Sequence, residues 1–151
     1  MGIRKFKIRD ADAVSELIIE NLRTVNIRDY SKDLIDILAA YKTPKRVIES
    51  AGKGSAFVAV KRGNILGVAM LKENKIVNMF VRKQMQGNGI GRSLLNRIEK
   101  LAKKKRISEL VVDASITAVG FYTRCGYEVV RKVNKPFCSI DNVVFEMTKK
   151  L

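Results

Sequence analysis

The sequence contains no histidine. That absence excludes Ser-His-Asp and Cys-His nucleophilic catalysis, and with them the common zinc sites that draw on imidazole. Cysteine occurs twice, as Cys125 and Cys138, without the spacing of metal ligands, so reduced thiols are expected. A metal site would rest on carboxylates alone, and no cluster of them stands out, so no metal is expected. The two prolines separate no domains. No apolar run approaches the roughly 18 residues needed to cross a bilayer, and Met1–Asp10 lacks the apolar stretch of a signal peptide. Together these features read as a soluble cytoplasmic protein with no membrane partner.

Acidic residues are also scarce, 15 against 30 lysines and arginines, giving a formal charge of +15. Such an excess favours polyanionic partners: a phosphate-rich cofactor, nucleic acid or an acidic protein surface. A lysine-rich solvated surface in a heat-adapted protein accounts for it equally well. What is present is a globular balance, 46% apolar and 30% charged over 151 residues, the size of one domain spanning 1–151.

Periodicity and capping signals give the order β-α-α-α-β-β-β-α-β-α-β-β. Ile3–Ile8 reads as a strand, and Asp10 as the cap of a helix running to about Leu22. Ser31 caps a second helix, and Thr43-Pro44 opens a third. Ser55–Lys61 and Ile65–Leu71 form a hairpin around Arg62-Gly63-Asn64. Ile76–Val81 follows and runs into Gln86-Gly87-Asn88-Gly89-Ile90-Gly91, from which a helix continues to about Lys105. Glu109–Asp113 is a strand, Ala118–Cys125 a short helix ended by Gly126, and Tyr127–Val133 and Val143–Thr148 complete the sheet. The fold class is therefore α/β, a mixed sheet of about seven strands flanked by helices.

A strand, a glycine-rich turn and a helix together bind phosphate: glycine lets the backbone approach closely, and the first helical amides point outward unpaired. A dinucleotide fingerprint fails on spacing, since the sixth position is Arg92 counted from Gly87 and Leu94 counted from Gly89. Gly52-Lys53-Gly54-Ser55 likewise lacks the spacing of a P-loop. What remains, Gln86-x-x-Gly89-x-Gly91 followed by Arg92, resembles the first signature of the GNAT superfamily of N-acetyltransferases. Ala114-Ser115-x-x-Ala118-x-x-Phe121-Tyr122-x-x-x-Gly126-Tyr127 is similar to its second signature, with Tyr where Phe is usual.

The resemblance implies a mostly antiparallel GNAT-like sheet and acetyl-CoA as co-substrate. The backbone of Met79, Phe80 and Val81 would pair with the pantetheine arm. The amides of Gln86, Gly87, Asn88, Gly89, Ile90, Gly91 and Arg92 would hold the pyrophosphate, with side-chain contacts from Arg92 and Ser93. Ser115 would lie beside the pantetheine, and Tyr122 would be the general acid. Chemistry supports an acid there: a departing thiolate leaves better beside a neutral donor, and tyrosine stays protonated at neutral pH. Read from spacing alone, Tyr122 equally continues a core stripe with Ala118, Phe121 and Cys125.

The family often carries a carboxylate on the strand before the turn, but here Asn78 is the only polar side chain of Ile76–Val81. The base is therefore unassigned, and Glu73, Asp113 and Asp141 have ordinary surface or cap roles available to them. Tyr30, Tyr41 and Phe137 lie in the two segments expected to shape the acceptor site. The acceptor is an amine, on a small molecule or a protein, with a homodimer left open. The other class left standing is a non-catalytic acyl-CoA-binding or nucleic-acid-associated module, although no nucleic-acid recognition motif occurs.

Overall fold

The computed structural model describes all 151 residues. Seven strands form one sheet: β1 (Gly2–Lys5), β2 (Ser55–Lys61), β3 (Asn64–Lys72), β4 (Lys75–Val81), β5 (Glu109–Ser115), β6 (Glu128–Asn134) and β7 (Val143–Lys150). Their spatial order is β1-β2-β3-β4-β5-β7-β6, and every neighbouring pair is antiparallel except β4 and β5. Five helices flank the sheet: α1 (Ala11–Thr24), α2 (Lys32–Tyr41), α3 (Pro44–Gly52), α4 (Ile90–Lys104) and α5 (Val119–Arg124). This is the mixed, mostly antiparallel seven-strand sheet expected of the sequence.

The central strands β2 and β3 are apolar almost throughout because helices cover both of their faces. Ala56, Val58, Val68 and Met70 pack beneath Val14, Leu17 and Ile18 of α1, with Ile35 and Ala39 of α2 and Val47 of α3. The alternate residues Phe57, Ala59, Ala69 and Leu71 pack on the opposite face with Leu94, Leu95, Ile98 and Ala102 of α4. One polar pair enters this second core, where Lys149 Nζ donates to buried Glu99 at 2.6 Å and to the Cys125 carbonyl at 3.0 Å.

The helix caps follow sequence chemistry. Ser31 Oγ accepts from the Leu34 amide, and Thr43 Oγ1 from the Arg46 amide ahead of Pro44. Helix α5 ends in a Schellman turn: the Tyr127 amide donates to the Tyr122 carbonyl and the Gly126 amide to that of Thr123, with Gly126 at φ +92°.

The first strand departs from expectation. It stops at Lys5, and Ile8–Asp10 forms a 3-10 turn that leaves Ile8 exposed. Asp10 stands at the start of α1, but its side chain does not cap that helix. It turns back instead, accepting from both Arg4 guanidinium nitrogens at 2.8 and 3.0 Å and from the Lys7 amide at 2.8 Å. This closed loop of bonds draws the chain out of the sheet after Lys5. The Arg4 hydrogen bond holds the Asp10 pKa below its ordinary value against the opposing effect of burial, and the Lys7 amide lowers it further.

A depressed carboxylate pKa stabilises the fold above the unfolded value, near 3.9, and that contribution fades as pH falls through the lower folded value. Asp10→Asn should therefore cost about 1–3 kcal/mol in urea unfolding at neutral pH, and the gap from wild type should shrink at about pH 3. A gap of the same size at both pH values would show that the charge of Asp10 is irrelevant.

Candidate functional site

The sheet is interrupted at its centre. β4 and β5 pair only at Lys75–Val111 and Ile76–Val112, after which the strands separate. Asn78 lies at the point of separation with φ +49°, where the β3–β4 register shifts between Val68 and Met70. A bulge of this kind bends its strand and ends pairing on one side. Beyond it, the β5-facing backbone edge of Val77–Val81 has no strand partner.

Two cavities open along the split. One, of about 520 Å³, is lined by Met79, Phe80 and Val81, by Gln86, Gly87, Gly89, Gly91 and Arg92, and by Phe121 and Arg124. The other, of about 490 Å³, takes in Tyr30, Leu38, Lys42, Asn78, Asp113 and Asn142. Asn26, Met79, Phe80, Ser115, Ala118 and Tyr122 belong to both walls. Most of the expected site residues therefore line one split in the sheet, and Tyr122 belongs to the walls of both cavities.

The glycine turn is shaped by two constraints. Gly89, the residue before α4, has φ +81°, which L side chains rarely adopt, and open space lies where its Cβ would be. Gly91 is closed in, since a Cβ there would stand 3.0 Å from the Phe121 ring. The Gln86 amide already donates to the Lys83 carbonyl, and its side chain donates to Asn21 Oδ1 and to the Val81 carbonyl. Gln86 thus ties the turn to α1 and β4, and its own backbone amide is already engaged. Arg92 reaches the wall and donates to the Arg124 carbonyl at 3.3 Å. Asn88, Ile90 and Ser93 do not line this cavity: Asn88 Nδ2 donates back to the Met85 carbonyl, and Ile90 is buried in the core. Arg124 is a cationic wall residue with no sequence signal of its own, because it lies three residues past Phe121 in an unremarked part of the second motif.

Tyr122 is held by aromatic packing, its ring edge-on to Phe121 at 5.2 Å and to Tyr127 at 5.5 Å. It is 4% exposed and both cavities reach it. Burial pushes its pKa up, with the Cys125 thiol adding to the shift, so the phenol is neutral at physiological pH. Tyr122 is thus a core residue that also lines both cavities.

The three carboxylates weighed as bases are placed differently. Burial works to raise the Asp113 pKa, but the Lys75 bond at 2.6 Å and the Lys135 bonds at 3.0 Å outweigh it and leave the group lowered. Asp113 sits directly opposite Glu146 in the sheet, a like-charge pairing that Lys135 bridges. Asp141 accepts from Asn134, and Glu73 occupies the exposed turn between β3 and β4. Tyr30 is a fastener: its hydroxyl donates to the Val143 carbonyl at 2.7 Å and accepts from the Ile116 amide at 2.8 Å, joining β7 to the loop before α5. Tyr41 packs edge-on against Phe137 at 5.2 Å. No helix is long and apolar enough to cross a membrane.

An open mixed sheet, split at its centre beside a glycine turn and a helix N-terminus, is the architecture of the GNAT fold. Residues 26–151 match the family model of the acetyltransferase (GNAT) domain, and the chain belongs to that family. It is 29% identical over 155 residues to an uncharacterized N-acetyltransferase of Methanocaldococcus jannaschii, covering 99% of this chain and 92% of that protein. Among solved structures, a GCN5-related N-acetyltransferase from Rhodopseudomonas palustris superposes with a TM-score of 0.94 at 24% identity, over 99% of this chain and 95% of that one. The PaiA N-acetyltransferase of Thermoplasma acidophilum, solved in complex with coenzyme A, superposes at 0.81 with 23% identity, over 99% and 98% of the two chains.

Removing the Tyr30 hydroxyl leaves the Ile116 amide and the Val143 carbonyl without their partner. Tyr30→Phe should lower stability by about 0.5–1.5 kcal/mol, the net worth of a hydrogen bond, since the Val143 carbonyl is part-buried and the Ile116 amide is exposed. A denaturant midpoint equal to wild type would show that solvent satisfies both.

Proposed function

We propose that the protein moves the acetyl group of acetyl-CoA to a primary amine by direct attack, with Tyr122 as general acid. The observation that carries this reading is the position of Tyr122 in the walls of both cavities. One cavity has the glycine turn and suits the cofactor, and the other is left for the acceptor. The CoA held by the Thermoplasma neighbour supports acetyl-CoA as the co-substrate. Two free thiols, Cys125 and Cys138, suit a cytoplasmic enzyme.

In this reading the pantetheine arm takes the place of a strand beside Met79, Phe80 and Val81, using backbone groups that β5 leaves unpaired. Ser115 stands across the split from it. The pyrophosphate lies on the amides from Gly87 to Arg92, where the helix dipole favours negative charge. Arg92 and Arg124 add positive charge on the same wall.

The neutral amine attacks the thioester carbonyl carbon, so a C–N bond forms as the C–S bond breaks. The phenolic proton of Tyr122 passes to the departing sulfur, and the proton released by the amine, carried through solvent, restores the phenol. No carboxylate takes that proton: Asp113 is committed to two lysines, and β4 offers only Asn78. The amine therefore has to arrive deprotonated or lose its proton to water.

Two experiments test the reading. Acetyl-CoA at 100 times its Kd should stabilise the protein by about 2.7 kcal/mol, which is about 5–10 °C in Tm for a chain of this size. Gly89→Val should abolish most of that shift by placing a side chain in the anion cradle, and an undiminished shift would remove the turn from the cofactor site. Tyr122→Phe keeps the aromatic packing and deletes only the hydroxyl. It should reduce kcat about 10²–10⁴-fold with little change in acetyl-CoA affinity. Near-normal turnover with chemistry rate-limiting would make solvent the proton donor.

A further inference from the structure

The cavity left for the acceptor is cationic. Its wall includes Lys42, Lys53, Lys72 and Lys75, against a single carboxylate, Asp113. Asp113 is already bonded to Lys75 and also to Lys135, so it has no charge to spare for the others. Lys53 and Lys72 are exposed. Lys42 is the unusual member: it is half-buried, forms no salt bridge, and donates to Asn78 Oδ1 at 2.6 Å.

The position of Lys42 is fixed by the fold. It is the C-terminal cap of α2, and the buried Ser15 hydroxyl donates to its carbonyl at 2.6 Å. Its side chain therefore projects to the bulge at Asn78, one residue before Met79 and Phe80 in the shared wall. Burial depresses the Lys42 pKa, and no anion offsets that effect. A partly desolvated ammonium with only a neutral amide for company is stabilised by any anion that reaches it. An acceptor with a second positive charge would meet the opposite: repulsion from three or four lysines in a confined space.

We propose that the acceptor is a primary amine that also carries a compact anionic group, a carboxylate or a phosphate, and that Lys42 anchors that group beside Asn78. This rests on the assignment of the second cavity to the acceptor. Apolar residues of the same wall, among them Leu22, Ile35 and Leu38, would flank the carbon chain between the two ends.

The test compares acetylation of four amines of similar reach: 4-aminobutyrate, 3-aminopropyl phosphate, butylamine and putrescine. At least one anionic amine should exceed butylamine in kcat/KM by about 10-fold or more, the scale of one charge-assisted hydrogen bond. Putrescine should be the poorest. Whichever anionic amine leads distinguishes carboxylate from phosphate recognition. In Lys42→Met the advantage over butylamine should fall to within about twofold, chiefly through KM, as expected for lost ground-state binding. Lys42→Arg should keep most of it, and an unchanged acetyl-CoA thermal shift checks that both variants fold. Equal kcat/KM across the panel, a preference for putrescine, or an advantage that survives Lys42→Met would overturn the proposal while leaving acetyl transfer intact. If no amine is acetylated, calorimetry with the two anionic amines on the CoA-saturated protein decides. Binding lost in Lys42→Met would keep the anion subsite and refute the transfer reading, whereas no binding to wild type would refute the subsite.

Discussion

Strands β4 and β5 hold register for two residue pairs and then part, and the rest of the molecule is arranged around that failure of pairing. A split in the middle of a sheet is costly, because buried backbone donors and acceptors need partners. Here the split is imposed by the left-handed conformation of Asn78 and the bulge it makes against β3. Only a local device of this kind can open a sheet whose flanking strands are pinned by two separate cores. The opened edge has the hydrogen-bonding capacity of a strand without a strand to fill it. In the proposed function a linear ligand rich in amides would pair with that edge, and the glycine turn at the end of β4 would take its phosphates.

Charge is distributed with the same division of labour. The acidic residues are few, and several are spent on holding the frame: Asp10 closes the first turn with Arg4, Glu99 receives Lys149 inside the core, and Asp113 and Glu146 share Lys135. The basic residues outnumber these partners two to one over the chain. Those left over include Arg92 and Arg124 on the glycine-turn side of the split and Lys42, Lys53 and Lys72 on the other. A general surface excess would leave the positive charge spread over solvated faces, as it is along the exposed Lys103–Arg106 end of α4. Lys42 differs from these because it is half-buried and is bonded to a neutral amide, with no salt bridge.

The parts of this arrangement that were legible in the sequence are those written in short-range chemistry. Ser31, Thr43 and Gly126 announce helix ends because capping uses atoms two to five residues apart. The strands β2 and β3 read as apolar runs because both faces are covered. The turn from Gln86 to Arg92 was readable as a glycine-rich join between a strand and a helix, which is where it lies. What escaped depends on partners distant in sequence. Asp10 resembles a helix cap, and only the approach of Arg4 turns it the other way. Lys42 has no local signal, because its meaning comes from Asn78, 36 residues away. Arg124 likewise becomes a wall residue only when α5 is laid beside α4. Asn78 itself was visible as the one polar side chain on its strand, a hint of irregularity that carried no information about its backbone angle.

A core residue and a cavity-lining residue need not be alternatives, and Tyr122 is both. Its ring is clamped between Phe121 and Tyr127, so its position is set by packing and costs no conformational entropy when a ligand arrives. The burial that supplies this rigidity also raises the pKa of the phenol. A raised pKa would disqualify a base or a nucleophile, but it suits a group that must hold its proton until a strong acceptor forms beside it. A thiolate released into a low-dielectric cleft is such an acceptor, since it has lost the water that would otherwise stabilise its charge. Tyr127 offers a comparison within the same cluster: it too is buried with a raised pKa, but its hydroxyl is fully enclosed and has no partner. Of the two phenols, only Tyr122 lines the cavities, so in the proposed transfer access to the split, and not acidity, decides which of them would donate a proton.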